Sequence, residues 1–253
     1  MIKLLLLSLL PMICMAVEYE FLTPEVLVLK NPEPCTYSSH KVKKAGSWKK
    51  ENGLLRNRKG NILRQADVTF YNYMIFEKPL TSGEKVDIAG KTFVYDPEIP
   101  SNIFKLNQLG NGVNQKRKYA YLGAWLGDLG ALSLKHFAGK SFEIRCSSDK
   151  KTVFTGKLEL RRDDPEYKGK TPFTGEEVLE LDYSNFNTPG KYYFFVDGIG
   201  RSMDFTIGAE TLSEAFYIHA RGLYHKRCGI AKEQPFTAWT SPACHSQVYT
   251  GSF

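Results

Sequence analysis

"SFEIRCSSDKKTVFTGKLEL", Ser141–Leu160, is the stretch whose reading decides the fold. "SFEIRC" alternates apolar with polar residues, and "TVFTGKLEL" is rich in β-branched and aromatic side chains. The Ser, Asp and Lys residues between them have the composition of a turn, so the stretch predicts two neighbouring strands. The same rhythm extends in both directions. "IFKLNQ" and "KYAYLGAWL" come before it; "EVLELDY", "KYYFFVDG" and "SMDFTIG" come after, with Gly, Asn, Asp and Pro clusters between. Seven short strands in about a hundred residues predict an immunoglobulin-like β-sandwich. The Cys, Trp, Cys arrangement of antibody domains is missing, so the expectation concerns architecture alone. Within "NTPGKYYFFV", Pro189-Gly190 makes a corner that the hydroxyl of Tyr192 or Tyr193 would tie to upstream backbone.

Upstream of the sandwich the chain reads as a strand-rich lead-in. Glu20 to Lys30 predicts one strand and Val68 to Phe76 a strongly aromatic one. A turn at Pro79 to Gly83 leads to a strand near Val86, "TFVYD" is another, and "PEIPSN" is a boundary. The net charge of +7 is concentrated here, because nine basic residues between Lys41 and Arg64 oppose only Glu51. This segment reads as a solvated, loop-rich face, with an acidic surface or polymer as the alternative it could meet; with no nucleic-acid-binding fold beside it, nucleic acid is not expected as a partner. Lys3, the apolar run Leu4 to Met15 and the small Ala16 have the order of a secretory signal peptide cut after Ala16. That predicts a secreted, periplasmic or extracellular protein. The run is too short to span a bilayer and no other stretch approaches that length.

At Gly208 the period changes from two to 3.6. Thr211 and Glu214 have capping-box spacing, and Leu212, Phe216, Ala220, Leu223 and Tyr224 share one face with His219 beside them. Lys226 and Arg227 suit the negative end of this helix, and Gly229 suits a left-handed terminus. Cys228, Cys244 and His245 follow. In an exported protein the two cysteines suit a disulfide, which closing this loop would make worth about 3 kcal/mol. Two thiolates and an imidazole equally suit tetrahedral zinc with one ligand still to be found. Cys35 and Cys146 form a second pair of thiols that could bridge, or Cys146 is a small buried hydrophobe. Of the three tryptophans, Trp125 has the alternating context of a core residue, Trp239 that of a neighbour to the cysteine loop, and Trp48 lies in the basic segment. Glu159, Asp163, Asp164, Glu176 and Glu177 read as surface charges, so no catalytic residue is assigned.

"SNIFKLNQLGN", "KYAYLGAWLGDLG", "TVFTGKLEL" and "GKYYFFVDGIGRSMDFTI" resemble the immunoglobulin-like module that precedes the catalytic domain in glycoside hydrolases of family 9, the cellulase family. The helix with "YHKRCG" and then "SPACH" resembles the opening of that family's (α/α)6 barrel, and "VTFYNYMIFEKPLTSGEKVDI" is similar to a lead-in found in some members. The resemblance covers roughly Val68 to His245. Joined to the leader and lead-in read from the residues, it implies a mainly β chain with four parts: a signal peptide over 1–16, a strand-rich region over 17–100, the sandwich over 101–207, and the first helix and Cys/His loop of a truncated barrel over 208–253. It implies a structural zinc on Cys228, Cys244 and His245, with a fourth, histidine ligand that has no counterpart in this chain. Family 9 enzymes invert at the sugar using a carboxylic acid and a carboxylate base. The family's aspartate pair and acid glutamate have no counterparts here, and Leu109-Gly110-Asn111 stands where the sandwich usually has Gly-Tyr.

The implied function is the N-terminal portion of a secreted β-1,4-glucan hydrolase, inactive on its own. Its partner would be β-glucan or a related polysaccharide in the full-length context, with a separate barrel fragment as a further one. No nucleic acid is implied, and no membrane once the leader is removed. The alternative is a non-catalytic, exported carbohydrate-binding or adhesive β-sandwich.

Overall fold

A computed structural model describes residues 18–31, 41–88, 90–161 and 175–245. The leader, Cys35, Asp163 and Asp164 lie outside them.

The lead-in is built from β1 (Glu18–Thr23), β2 (Val26–Asn31), β3 (Val42–Asn52), β4 (Leu55–Arg56), β5 (Ile62–Arg64), β6 (Asp67–Phe76), β7 (Lys85–Ile88) and β8 (Lys91–Val94). The single strand expected over Glu20 to Lys30 is a tight hairpin, β1 against β2, turning at Pro24-Glu25. Proline has no amide to give to a ladder, which is the physical reason the run breaks there. The basic segment, expected as loop, forms β3, eleven residues paired along β6. It reads as loop because β3 is the edge of the sheet β1-β2-β6-β3 and shows most of its side chains to water. A solvated strand has no apolar face to produce an alternating pattern.

This sheet is buried on both sides at its centre. Antiparallel register puts Val26, Val28 and Tyr73 on one face and Leu27, Leu29 and Met74 on the other. The second face packs on Val86, Ile88 and Phe93 of the β7–β8 hairpin. The first joins the core of the sandwich, where Leu22, Val26, Val28 and Tyr73 share one cluster with Ile103, Leu122 and Phe142.

The sandwich itself comprises β9 (Phe104–Lys105), β10 (Tyr119–Leu122), β11 (Ser141–Cys146), β12 (Thr152–Leu160), β13 (Leu179–Asp182), β14 (Gly190–Val196), β15 (Gly200–Arg201) and β16 (Phe205–Ile207). All seven strand segments read from the sequence are strands, and Gly200–Arg201 adds a short eighth. Strand order is β15-β14-β11-β12-β13-β10-β9, with β16 also paired to β14. Residues 152–157 of β12 pair with β11 and residues 158–160 with β13, so one strand passes from one layer to the other. Gly156 sits at that crossing, where a Cβ would lie 2.3 Å from the Phe142 ring. The interior is aromatic, with Phe194 stacked on Phe205 at 4.7 Å and edge-on to Tyr183 at 5.0 Å. Burying each such ring contributes about 1.5–3 kcal/mol. The corner forms as expected: the Tyr192 hydroxyl donates to the Pro189 carbonyl at 3.1 Å.

The two parts meet through a close backbone approach. β3 lies against the loop Leu126–Gly130, where the Ser47 amide donates to Asp128 Oδ1 at 2.7 Å. Gly127, at φ +63°, lies so near that a Cβ would be 2.3 Å from the Ser47 carbonyl oxygen. Ser101 Oγ also donates to the Leu22 carbonyl at 2.9 Å.

Candidate metal centre

α1 (Thr211–Lys226) is the one α-helix among the described residues, and none of its side chains is buried. Phe216 is 75% exposed and Leu223 68%, so the apolar stripe read from the sequence has no cover in this structure. The capping box is not formed. Glu210 occupies the cap position and Thr211 is already the first helical residue, which moves Glu214 one place too far along to reach back. Gly229 has the expected left-handed backbone, φ +78°, but serves a different purpose. The helix closes at extended Arg227, and Gly229 turns the following loop so that its amide donates to the Cys244 carbonyl at 2.7 Å.

That bond joins the two cysteine-bearing segments. A short ladder continues it, with Lys232 and Ser241 exchanging backbone bonds at 2.8 and 3.0 Å. Inside the loop the buried Lys232 ammonium donates to the carbonyls of Arg227 and Ile230. It thereby satisfies acceptors at the helix's negative end. His225 Nε2 lies 2.8 Å from Thr237 Oγ1, and the Arg221 guanidinium lies 4.7 Å over the exposed Trp239 ring. Trp239 therefore sits beside the loop as expected. His219 Nδ1 is 2.8 Å from the Ala215 carbonyl on its own helix. Neither histidine turns towards the cysteines.

Cys228, Cys244 and His245 are brought together with their ligating atoms all within 4.8 Å of one another. Two thiolates bound to one zinc at about 2.3 Å lie no more than about 4.6 Å apart, close to the 4.8 Å within which these three donors gather. Both cysteines stand as free thiols. His245 takes a left-handed backbone, φ +54°, a conformation uncommon outside glycine. The His245 imidazole, and then the Cys228 thiol, lower the pKa of Cys244; Cys244 in turn raises that of Cys228. Cys244 is thus the first of the pair to become a thiolate, the form that binds metal. Two thiols and an imidazole are donors that can hold a metal ion.

Elsewhere the sequence expectations fare unevenly. Trp125, expected in the core, is 46% exposed on a loop held by its bridge to Ala131. Its neighbours Ala124 and Leu126 fill the core, so the alternation was read one residue out of phase. Trp48 is also exposed, its ring 5.2 Å from that of Tyr71. Cys146 is half-buried and unbridged, its sulfur 3.2 Å from Ser148 Oγ. Glu159 is an exposed charge as expected, but Glu177 is not a free one. Its Oε2 accepts from the amides of Leu134 and Lys135 and from the Ser133 hydroxyl, at 2.8, 3.1 and 3.1 Å. Burial disfavours the Glu177 carboxylate, yet these donors and the Lys135 ammonium hold its pKa below the usual value.

Two residues without a sequence signal also organise the sandwich. Lys118 is fully buried, its ammonium donating to the carbonyls of Gln115 and Ser184 and to Asn187 Oδ1 at 2.7, 2.9 and 2.8 Å. Asn111, in the Leu-Gly-Asn segment, donates from Nδ2 to the Tyr183 hydroxyl at 2.7 Å.

Residues 100–201 match the family described as the cellulase N-terminal ig-like domain. Endoglucanase D of Acetivibrio thermocellus is 32% identical over 75 residues, 29% of this chain and 12% of that enzyme. Cellulose 1,4-beta-cellobiosidase of the same organism is 35% identical over 86 residues, 31% of this chain and 10% of the enzyme. The chain therefore spans about a tenth of the length of these relatives. Among solved structures, a metagenome-derived glycoside hydrolase family 9 endoglucanase aligns at 24% identity and a TM-score of 0.43, covering 56% of this chain and 24% of that one. A Bacteroides ovatus GH9 structure aligns at 27% and 0.42, covering 57% and 23%.

Proposed function

We propose that this chain, whose residues 100–201 match the cellulase N-terminal ig-like domain family, is the N-terminal portion of an exported family 9 glycoside hydrolase acting on β-1,4-glucan. In this reading the sandwich braces a catalytic domain whose first helix is α1, and residues 208–245 begin that domain. The observation that carries it is the order of parts: a sandwich of this family, then a helix with an uncovered apolar stripe, then Cys228, Cys244 and His245 converging within 4.8 Å. A helix that buries nothing in the sandwich needs another surface to cover Phe216 and Leu223.

The three donors would hold a structural zinc, leaving one tetrahedral position for a further ligand. The ion would fix the loop against the end of α1 and take no part in glycoside cleavage. In this reading the acid and base of catalysis belong to the domain that residues 208–245 begin.

Two measurements test the reading. The purified chain should release no reducing sugar from soluble cellulose, and activity there would overturn it. The chain should also retain about one zinc through dialysis, detected by elemental analysis and lost in Cys228→Ser; a metal-free chain with Cys228 bridged to Cys244 would overturn the zinc assignment.

A carbohydrate-binding sandwich without an enzyme is the second reading, favoured by the exposure of Trp48 and Trp125. Retardation on a glucan-containing gel, abolished by Trp48→Ala, would favour it.

A further inference from the structure

A groove runs from the lead-in onto the sandwich, away from the Cys/His centre. It is made of two hollows that share Asn102. One, of about 530 Å³, lies beside β9 and β10 and is lined by Lys105, Gln108, Tyr119 and Tyr121. The other, of about 370 Å³, lies along β1 and is lined by Glu18, Tyr19, Asp96 and Ile99. Each has the volume of a ligand site.

The junction is fixed. The Asn102 backbone amide and Nδ2 donate to the Glu20 carboxylate at 2.5 and 2.8 Å, and its carbonyl accepts from Lys105 Nζ at 2.5 Å. β1 is thereby tied to β9, and the two hollows are held as one surface. Tyrosine rings stand in both. Tyr19 is 43% exposed and lies edge-on to Phe93 at 5.0 Å. Tyr119 and Tyr121 leave the outer side of β10, because Ala120 and Leu122 beside them fill the core. The Arg161 guanidinium steadies Tyr121 from 4.8 Å. Asn102 Oδ1 and the exposed Gln108 amide have no hydrogen-bond partner among the described residues.

The lining chemistry selects the occupant. The carboxylates of Glu18, Glu20 and Asp96 are offset by Lys30 and Lys105, and Glu18 is paired with Lys30. The groove therefore has no field of one sign to hold a polyion. β9 is two residues long and Asn102 is tied to Glu20 of β1, so neither edge offers the run of backbone groups that an added peptide strand needs. An uncharged sugar chain fits what is left. The C–H faces of its rings lie against tyrosine rings, and its hydroxyls donate to and accept from amides. We propose that the groove binds a neutral polysaccharide chain, with Tyr19 and the Tyr119–Tyr121 pair carrying sugar rings and Asn102 and Gln108 bonding hydroxyls. That the chain is a β-1,4-glucan rests on the hydrolase reading above; the choice of an uncharged sugar chain does not. Neither Trp48 nor Trp125 lines the groove.

The test is isothermal titration calorimetry of the full chain with cellohexaose, mannohexaose and hexagalacturonate. The parent should bind cellohexaose and give no heat with the acidic hexagalacturonate. Tyr19→Ala and Tyr121→Ala should each weaken cellohexaose about three- to tenfold, the worth of one ring contact. Gln108→Ala should weaken it by a similar factor, roughly three- to tenfold. Gln108 is exposed, so that variant should keep the parent's thermal transition and serves as the check if a tyrosine variant folds poorly. Trp48→Ala should bind as the parent does, which separates the groove from binding through exposed tryptophans. Binding of mannohexaose in place of cellohexaose would support the groove and count against the β-1,4-glucan context. No heat with either neutral hexasaccharide would overturn the groove and leave the hydrolase reading to its own zinc and activity measurements. Unchanged affinity in all three groove variants, or binding of hexagalacturonate alone, would overturn it equally.

Discussion

A lysine ammonium without exposed surface must find acceptors, and Lys118 finds three on the two loops it joins. Removing it would leave those oxygens unpaired in the interior. Lys118→Met is expected to cost about 3 kcal/mol, lowering Tm by about 6–12 °C in a thermal scan. Glu177 works in the opposite sense, as an acceptor for two amides and a hydroxyl. Its folded pKa lies below the usual value of 4.5, so its stabilisation is complete above pH 4.5 and fades as pH falls through the folded pKa. Glu177→Gln should cost about 1–2 kcal/mol at neutral pH, with the gap to the parent closing in acid denaturation curves. Neither role was legible in the sequence. The acceptors of Lys118 are mostly backbone carbonyls, as the main donors to Glu177 are backbone amides, and every residue carries those.

Elements were more legible where one face is buried and less so where none is. The sandwich strands revealed themselves because each sets apolar side chains inward at every second position. β3 did not, since its polar side chains record exposure and give no sign of backbone pairing. Trp125 was misplaced by a single residue, and in a strand-like stretch one residue is the difference between core and solvent. At α1 the helix forms where the period changes, and its cap falls one position earlier, at Glu210. The Cys/His triad was visible in the sequence, but Lys232, which gathers the carbonyls inside that loop, was not. Because no α1 side chain is buried, removal of the proposed zinc should act locally. Chelation by EDTA is expected to speed proteolysis between Arg227 and His245 while leaving fragments that contain the sandwich intact on a gel.

For the whole molecule, the chain on the two sides of residue 100 shares one buried core. Leu22, Val26, Val28 and Tyr73 belong to the same buried cluster as the sandwich aromatics. The Gly127 contact adds a second join. Gly127→Ala, placing a methyl group into the Ser47 carbonyl at a left-handed backbone position, should cost about 1–3 kcal/mol. Hydrogen exchange should then quicken at Gly46 and Ser47 and stay slow along β11 and β14. Calorimetry of the parent should give one transition for lead-in and sandwich together. The shared cluster bears on how such a gene can be recombined. A crossover at the edge of the recognisable family segment would divide a single cooperative unit and leave each half with a wet seam. Inheritance of the two parts as one block is therefore favoured, and a library designer transplanting this module should cut ahead of Glu18.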